Sequence, residues 1–176
     1  MNQTTTQEKK IDSSPDSSLS PLAKRIYSVL KSGTPLYQVQ GITKEKLENI
    51  YTTAYNLYNA GKYQKAINLF RMLAYYNQFD KRAWLGIAGS AEMLKDYYGA
   101  IAAYSSASFL DPEDPLPALH AFDCHFALKN YPQALSALEA VLLLSSKKTE
   151  YKEIRKRAEF LRTVLDSTIQ ESKAAA

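Results

Sequence analysis

The chain has 176 residues, of which 45% are hydrophobic, and this is enough to bury the core of one domain with polar tails. No apolar run approaches the ~18 residues of a membrane-spanning helix, and the polar residues 1–20 lack the apolar stretch of a secretory signal. The single cysteine, Cys124, excludes an internal disulfide and suits a reducing cytoplasm, and the net charge of +4 is too mild to indicate a nucleic-acid partner.

The N-terminal region is predicted to have two parts. Residues 1–19 are polar, low in aromatic residues and without periodicity, so we expect a disordered tail. Residues 20–42 are predicted to form a helix and a connector, because Ser20 and Pro21 make a helix start and Gly33 suits its end. The apolar side chains of this helix fall on one stripe, which consists of Leu22, Ile26, Val29 and Leu30.

A pattern with a fixed period dominates the rest of the chain. Tyr63 and Tyr97 are separated by 34 residues, and so are Tyr97 and Tyr131. A period of this size indicates a stack of identical helical hairpins, and 34 residues is the period of tetratricopeptide (TPR) repeats, which the sequence resembles. The three copies of the pattern are Gly61-Lys62-Tyr63-x-x-Ala66, Lys95-Asp96-Tyr97-x-x-Ala100 and Lys129-Asn130-Tyr131-x-x-Ala134.

The period predicts an all-α fold, in which three tandem hairpins of a helix A and a helix B occupy residues 43–146. A capping helix with one apolar and one polar face is predicted in residues 147–171. We interpret its mixed charges as a solvated surface and expect no nucleic-acid partner. The helix A segments are expected at 44–60, 81–94 and 115–128, and the helix B segments at 63–77, 97–110 and 131–145.

A second face of each helix A is predicted to line the concave side of the stack, at positions i, i+4 and i+7. In the first repeat all three positions are tyrosines, so this helix is apolar on two faces and something should cover the second one. Two interpretations stay open. Either the connector or the N-terminal helix folds over this face, or it is a groove for an extended peptide with apolar anchors. The positions hold Tyr51, Tyr55 and Tyr58, then Leu85, Gly89 and Glu92, then Leu119, Asp123 and Phe126.

Candidates for chemistry are few and lie together on helix A of the third repeat. They are His120, Asp123, Cys124 and His125. His120 and Cys124 are at i and i+4, which places both within reach of one metal ion, but a structural zinc site needs four ligands. Buried cysteine is commonly a small hydrophobic residue. We therefore predict no catalytic residue, no metal site and no cofactor.

The first repeat resembles one family in particular. Its sequence reads Tyr51-x3-Tyr55-x2-Tyr58-Asn59-x-Gly61-Lys62-Tyr63-x2-Ala66-x3-Phe70-Arg71-x-Leu73, and Trp84-Leu85-Gly86-Ile87-Ala88 and a turn at Asp111-Pro112 follow. These motifs are similar to the class II chaperones of bacterial type III secretion, the SycD, IpgC and SicA group. The resemblance covers about residues 20–165. The chain departs from the family in its pI of about 9.0, since members are commonly acidic.

The resemblance implies a chaperone of the bacterial cytoplasm that binds hydrophobic translocator proteins and keeps them soluble and competent for secretion. In that family a short N-terminal segment of the translocator lies extended in the concave groove, and no ATP is involved. No cofactor, nucleic acid or direct membrane insertion is implied. Carried over by position, the groove residues are Tyr51, Tyr55, Tyr58, Leu85, Gly89, Leu119 and Phe126.

The resemblance also implies a homodimer, because many members self-associate through the N-terminal helical region. The stripe of Leu22, Ile26, Val29 and Leu30 would then be the dimer contact. The alternative is that this stripe packs on the first repeat of its own chain. A rival function is that of a general TPR adaptor with a different peptide partner. The best-known adaptor clamps a C-terminal carboxylate with Lys and Asn, but Tyr51 and Tyr55 stand at those two positions here.

Overall fold

The computed structural model describes Ser20 and residues 31–174, with side chains as far as Ser172. The predicted polar tail and the stripe of Leu22, Ile26, Val29 and Leu30 lie outside these described residues. The chain divides into two units, Met1–Thr34 and Pro35–Ala176. In the described part of the first unit, a helix ends at Ser32 and is followed by Gly33, whose φ of 63° is the left-handed conformation expected of a C-terminal glycine.

All the regular secondary structure in the described part of the second unit is helical. A one-turn helix precedes three helical hairpins, and a long helix follows them after a short 3-10 turn at Thr149–Tyr151. The helices are α1 (Leu36–Val39), α2 (Lys44–Asn59), α3 (Tyr63–Tyr76), α4 (Lys81–Met93), α5 (Tyr97–Leu110), α6 (Leu116–Ala127), α7 (Tyr131–Ser145) and α8 (Lys152–Ala174). The three hairpins, α2/α3, α4/α5 and α6/α7, confirm the predicted fold class.

Local chemistry explains where these helices begin. The Thr43 hydroxyl accepts a hydrogen bond from the backbone N–H of Lys46, as expected of a helix cap. Asp80 accepts from the N–H of Arg82 at the start of α4, and Asp96 accepts from the N–H of Gly99 at the start of α5. Each cap satisfies one of the amide groups that a helix start leaves without a partner inside the helix.

The turns inside the hairpins repeat with the same period as the helices. Gly61, Lys95 and Lys129 occupy equivalent positions, and all three have positive φ, of 71°, 63° and 55°. Glycine adopts this conformation readily, whereas a residue with a side chain is strained in it. The second and third repeats therefore tolerate a strained lysine at a position where the first repeat has glycine.

Small side chains let the paired helices approach, and large ones fill the space between repeats. Ala54, Ala66, Ala88, Ala100 and Ala134 are all 0% exposed. One core cluster runs through the first two repeats and includes Phe70 and Tyr104, each from the second helix of its hairpin. A separate cluster joins the third repeat to α8, and it consists of Leu119, Phe122, Ala134, Leu138, Val141, Ala158 and Leu165.

Two ion pairs show that α8 takes the place of a fourth helix A. Glu48 on α2 pairs with Arg82 on α4, and Asp123 on α6 pairs with Arg157 on α8. In both pairs the partners are 34 residues apart, which is one repeat. The apolar side chains Ala158 and Leu165 are fully buried against the third repeat, so α8 closes the stack as predicted. None of the helices in the described part of the chain is long and apolar enough to cross a membrane.

Candidate functional site

A cavity of about 520 Å³ opens on the concave side of the first two repeats and the start of the third. This volume lies within the range of roughly 300–1,000 Å³ that is usual for ligand sites. Most of its wall is aromatic or aliphatic, with a few charged groups. It is lined by Tyr51, Tyr55, Tyr58, Phe70, Arg82, Leu85, Gly86, Gly89, Glu92, Met93, Tyr104, Asp114, Leu116 and His120.

The tyrosines of α2 form one wall of the cavity. The rings of Tyr51 and Tyr55 stack with their centroids 6.2 Å apart, and Tyr51 meets the buried ring of Phe70 edge to face at 6.0 Å. The guanidinium of Arg82 lies 4.6 Å from the centre of the Tyr51 ring. Tyr51 is therefore held from two sides, while Tyr55 is 50% exposed and offers its ring to a ligand.

The connector does not cover this wall. Tyr37 and Ile42 of the connector pack into the core of the first two repeats, and no residue of the segment 35–43 lines the cavity. The connector therefore does not fold over the tyrosines, which was one of the two coverings that the sequence allowed. The N-terminal helix lies outside the described residues, except for its last residues.

Two glycines on α4 have different tasks. A Cβ at Gly86 would lie 2.5 Å from the ring of Phe70, so only glycine leaves room for this buried wedge between the repeats. A Cβ at Gly89 would lie 3.4 Å from the Tyr58 hydroxyl, which is ordinary contact. Gly86 is thus required by the core, whereas Gly89 keeps the floor of the cavity low and open to a ligand backbone.

One end of the cavity is polar. The Tyr104 hydroxyl donates a hydrogen bond to Oε2 of Glu92 over 2.6 Å, and the His120 ring stacks on Tyr104 at 5.2 Å. Burial, together with the neighbouring Glu92 carboxylate, raises the pKa of Tyr104 far above its usual range, so Tyr104 stays a hydrogen-bond donor. Because Nδ1 of His120 lies 3.7 Å from Oε2 of Glu92, it is too far to share this acceptor.

The residues that could hold a metal ion belong partly to this polar end. Ligand atoms of Glu92, His120 and Asp123 lie within 4.8 Å of one another. However, Tyr104 already bonds to Glu92, and Arg157 bonds to Asp123 over 3.3 Å. Cys124 is fully buried in the core, and burial raises the pKa of its thiol to about 12, so the thiol stays protonated and unreactive.

The structure brings together five of the seven predicted groove residues. Those that line the cavity are Tyr51, Tyr55, Tyr58, Leu85 and Gly89. The sequence placed Glu92 on the concave face of the second repeat, beside Leu85 and Gly89, but not among the groove residues, and it placed His120 only among the candidates for chemistry. The signal for Glu92 was a charged residue on a face that is otherwise predicted to bind apolar groups.

The other two predicted groove residues lie elsewhere. Leu119 is 1% exposed and packs in the core shared with α8, so its prediction as a groove residue is corrected. Phe126 is half-buried against Phe122 at 5.7 Å and Tyr131 at 6.0 Å, and it does not line the cavity. The reason is that α8 stacks on the third repeat. Leu119 packs against the apolar residues of α8, and its neighbour His120 lines the cavity instead.

Comparisons with known proteins agree with this architecture. The tetratricopeptide repeat family matches residues 51–115. Low calcium response locus protein H of Yersinia pestis is 32% identical over 130 residues, which are 74% of this chain and 77% of that protein.

A type III secretion complex from Aeromonas hydrophila contains a chain that is 27% identical and superposes with a TM-score of 0.79, covering 83% of this chain and 97% of that one. The type III secretion chaperone SycD of Yersinia enterocolitica, solved with a peptide of the translocator YopD, is 28% identical with a TM-score of 0.68, over 72% of this chain and 97% of that one. The same SycD has also been solved as a dimer.

Proposed function

The chain belongs to the family of type III secretion translocator chaperones, and from this membership we propose that its concave cavity binds a hydrophobic translocator protein. An extended segment of the translocator occupies the cavity, and the complex stays soluble in the bacterial cytoplasm until secretion. In this proposal the chain acts by binding alone, without catalysis or a cofactor, in keeping with the name of chaperone that its relatives SicA and SycD carry.

The observation that carries this proposal is the open tyrosine wall of the first repeat. The wall of a cavity of about 520 Å³ is formed in part by Tyr51, Tyr55 and Tyr58. The connector packs in the core and does not cover these side chains. A tyrosine offers a large contact area with few rotatable bonds, and its hydroxyl can bond to a peptide backbone. Gly89 lines the same cavity without a side chain, which lets a ligand backbone approach α4 more closely than any other residue would.

The energetics suit reversible binding. Full burial of one apolar side chain contributes about 1.5–3 kcal/mol, so two or three anchors contribute a free energy comparable with the roughly 4–15 kcal/mol that association costs in lost freedom, and the net affinity is moderate. A translocator segment that would otherwise aggregate or enter a membrane is kept in water by this equilibrium. No part of the cycle requires nucleotide hydrolysis, and release follows from competition or from unfolding of the bound segment.

We also propose that the chain forms a homodimer through the apolar stripe of Leu22, Ile26, Val29 and Leu30. The support comes from the stripe itself and from the dimer of SycD. Substitution of Ile26 by Glu should convert the dimer to a monomer in light scattering while the helical content is retained. A wild-type chain that is monomeric at high concentration would favour the alternative, in which the stripe packs on its own first repeat.

Co-expression with a hydrophobic translocator from the same genome tests the main proposal. The wild-type chain should keep the translocator soluble, and Tyr55→Glu should abolish this because a charge would replace the exposed ring in the apolar wall. Tyr98→Glu is the matched control, since Tyr98 is 75% exposed, does not line the cavity and should tolerate the same change.

The outcomes separate the two candidate functions. Loss of the complex with Tyr55→Glu alone supports a translocator chaperone that uses this cavity. An insoluble translocator beside a folded wild-type chain would instead favour a general TPR adaptor with another peptide partner.

A further inference from the structure

Among the charged groups that line the cavity, Glu92 differs from the others. Arg82 is engaged by Glu48 and Asp80, and Asp114 is engaged by Lys81. Within the described residues, Glu92 has no lysine or arginine partner. Its one hydrogen bond comes from the neutral Tyr104 hydroxyl, and its one ion-pair contact is with Nδ1 of His120 at 3.7 Å, which carries charge only when the imidazole is protonated. Arg82 and Asp114 are therefore paired with carboxylate or lysine partners of the chain itself, whereas the Glu92 carboxylate has only this histidine nearby.

The position of Glu92 makes this charge relevant to a ligand. Its side chain is 27% exposed and lies in the cavity wall on the same face of α4 as Leu85 and Gly89, at i+7 and i+3 from them. An apolar segment lying over this face would remove water from the carboxylate. A carboxylate that loses its water without gaining a cation or a donor is costly, so an entirely apolar ligand would bind poorly at this end.

We propose that the cavity selects an extended segment in which a lysine or arginine accompanies the apolar anchors, and that this basic side chain pairs with Glu92. The inference rests on the proposed function, because it names the chemistry of the segment bound in the same cavity. A charge-assisted hydrogen bond to a carboxylate is stronger than a neutral one, so a cation suits this end better than a backbone amide does.

The geometry limits where the basic residue stands in the segment. Leu85 and Glu92 are seven residues apart on α4, which is about 10 Å along a helix that rises ~1.5 Å per residue. An extended peptide advances about 3.3 Å per residue. The basic residue therefore lies within about three residues of the apolar anchor that contacts Leu85.

A selection from a displayed library of random twelve-residue peptides tests the proposal with three forms of the full chain. These are the wild type, Glu92→Gln and Tyr55→Glu. In Glu92→Gln the new amide oxygen still accepts the Tyr104 hydrogen bond, so this variant removes the charge with little change in shape. The wild type should enrich peptides with spaced apolar residues and one lysine or arginine at a fixed offset, and Glu92→Gln should enrich the apolar residues alone.

The best wild-type peptide then serves as a fluorescent probe, compared with a copy in which citrulline replaces arginine. The citrulline copy should bind the wild type about fivefold more weakly, as expected for a partly exposed ion pair, and should bind Glu92→Gln as tightly as the arginine peptide does. Tyr104→Phe keeps the carboxylate charge and should keep the preference for arginine. A preference that vanishes in Tyr104→Phe but survives in Glu92→Gln would overturn the proposal.

The failure of this inference differs from the failure of the proposed function. If the wild type enriches apolar peptides without any basic position, or if Glu92→Gln keeps the basic preference, the cavity still binds peptides but Glu92 does not select them. If Tyr55→Glu enriches the same peptides as the wild type, the binding site lies outside the cavity, and both proposals are wrong.

Discussion

The first two repeats and the third repeat share one sequence period, but the side chain at the same position of the period is exposed to a cavity in one region and buried in the other. Leu85 in the second repeat lines an open cavity, whereas Leu119, one period later, is fully buried. The difference lies in the neighbour: the third repeat has α8 stacked on it, with Ala158 and Leu165 inserted into a shared core. Periodicity therefore predicts which element a residue belongs to, while the next element in the stack decides whether its side chain is core or surface.

Leu119 and Leu85 provide the largest expected contrast. Leu119→Ala should lower the free energy of unfolding by about 2–5 kcal/mol, because it leaves a void in a closed core. Leu85→Ala should cost about 1 kcal/mol, because this side chain is only partly buried, but it should weaken translocator binding. Urea unfolding of both variants gives the two values. Equal costs at the two positions would contradict the distinction between a closed and an open region.

Gly86 and Gly89 make a second contrast within α4, one turn apart. Gly86→Ala should destabilise the chain by about 1–2 kcal/mol, because the methyl group would overlap the Phe70 ring and the gain in helix propensity offsets only part of the strain. Gly89→Ala should leave stability unchanged or slightly raised, since its methyl group makes ordinary contact with Tyr58. Thermal unfolding distinguishes the two, and a destabilised Gly89→Ala would show that Tyr58 cannot yield.

The turns give the smallest contrast between the repeats. Lys95→Gly should raise the free energy of unfolding by about 1 kcal/mol, because it relieves a left-handed backbone at φ 63°. Gly61→Ala at the equivalent position of the first repeat should lower it by a similar amount, because it introduces that strain. Chemical denaturation measures both changes. A Lys95→Gly variant less stable than the wild type would mean that the lysine side chain contributes more than its backbone costs.

Much of the fold follows from the sequence alone, and the reason is local. The helices of the three hairpins begin and end within about one residue of their expected positions. The turns inside the hairpins are marked by Gly61, Lys95 and Lys129. Three helix starts are capped by short-range hydrogen bonds to Thr43, Asp80 and Asp96. Within the site, the three tyrosines of α2 could be predicted because a helix with a second aromatic face must bury that face against a partner. They are Tyr51, Tyr55 and Tyr58.

The remainder of the site could not be predicted because it depends on contacts between repeats. The interaction of Glu92 with Tyr104, and the stacking of His120 on Tyr104, join three different helices. The burial of Leu119 requires knowledge of how α8 packs. A periodic sequence pattern predicts the same environment for every repeat. It is therefore wrong for the last repeat, whose neighbour is a single helix instead of another hairpin.

We propose that the translocator occupies the cavity beside the tyrosine wall. A photo-reactive benzoylphenylalanine in place of Tyr55 tests this position most directly, with the same probe in place of Phe109 as the control, since Phe109 is 85% exposed and does not line the cavity. After irradiation of the complex with a translocator from the same genome, the probe at position 55 should crosslink to one short N-terminal segment of the translocator, and the probe at position 109 should not crosslink to that segment. Crosslinking of that segment from position 109 and not from position 55 would mean that the translocator binds outside the cavity.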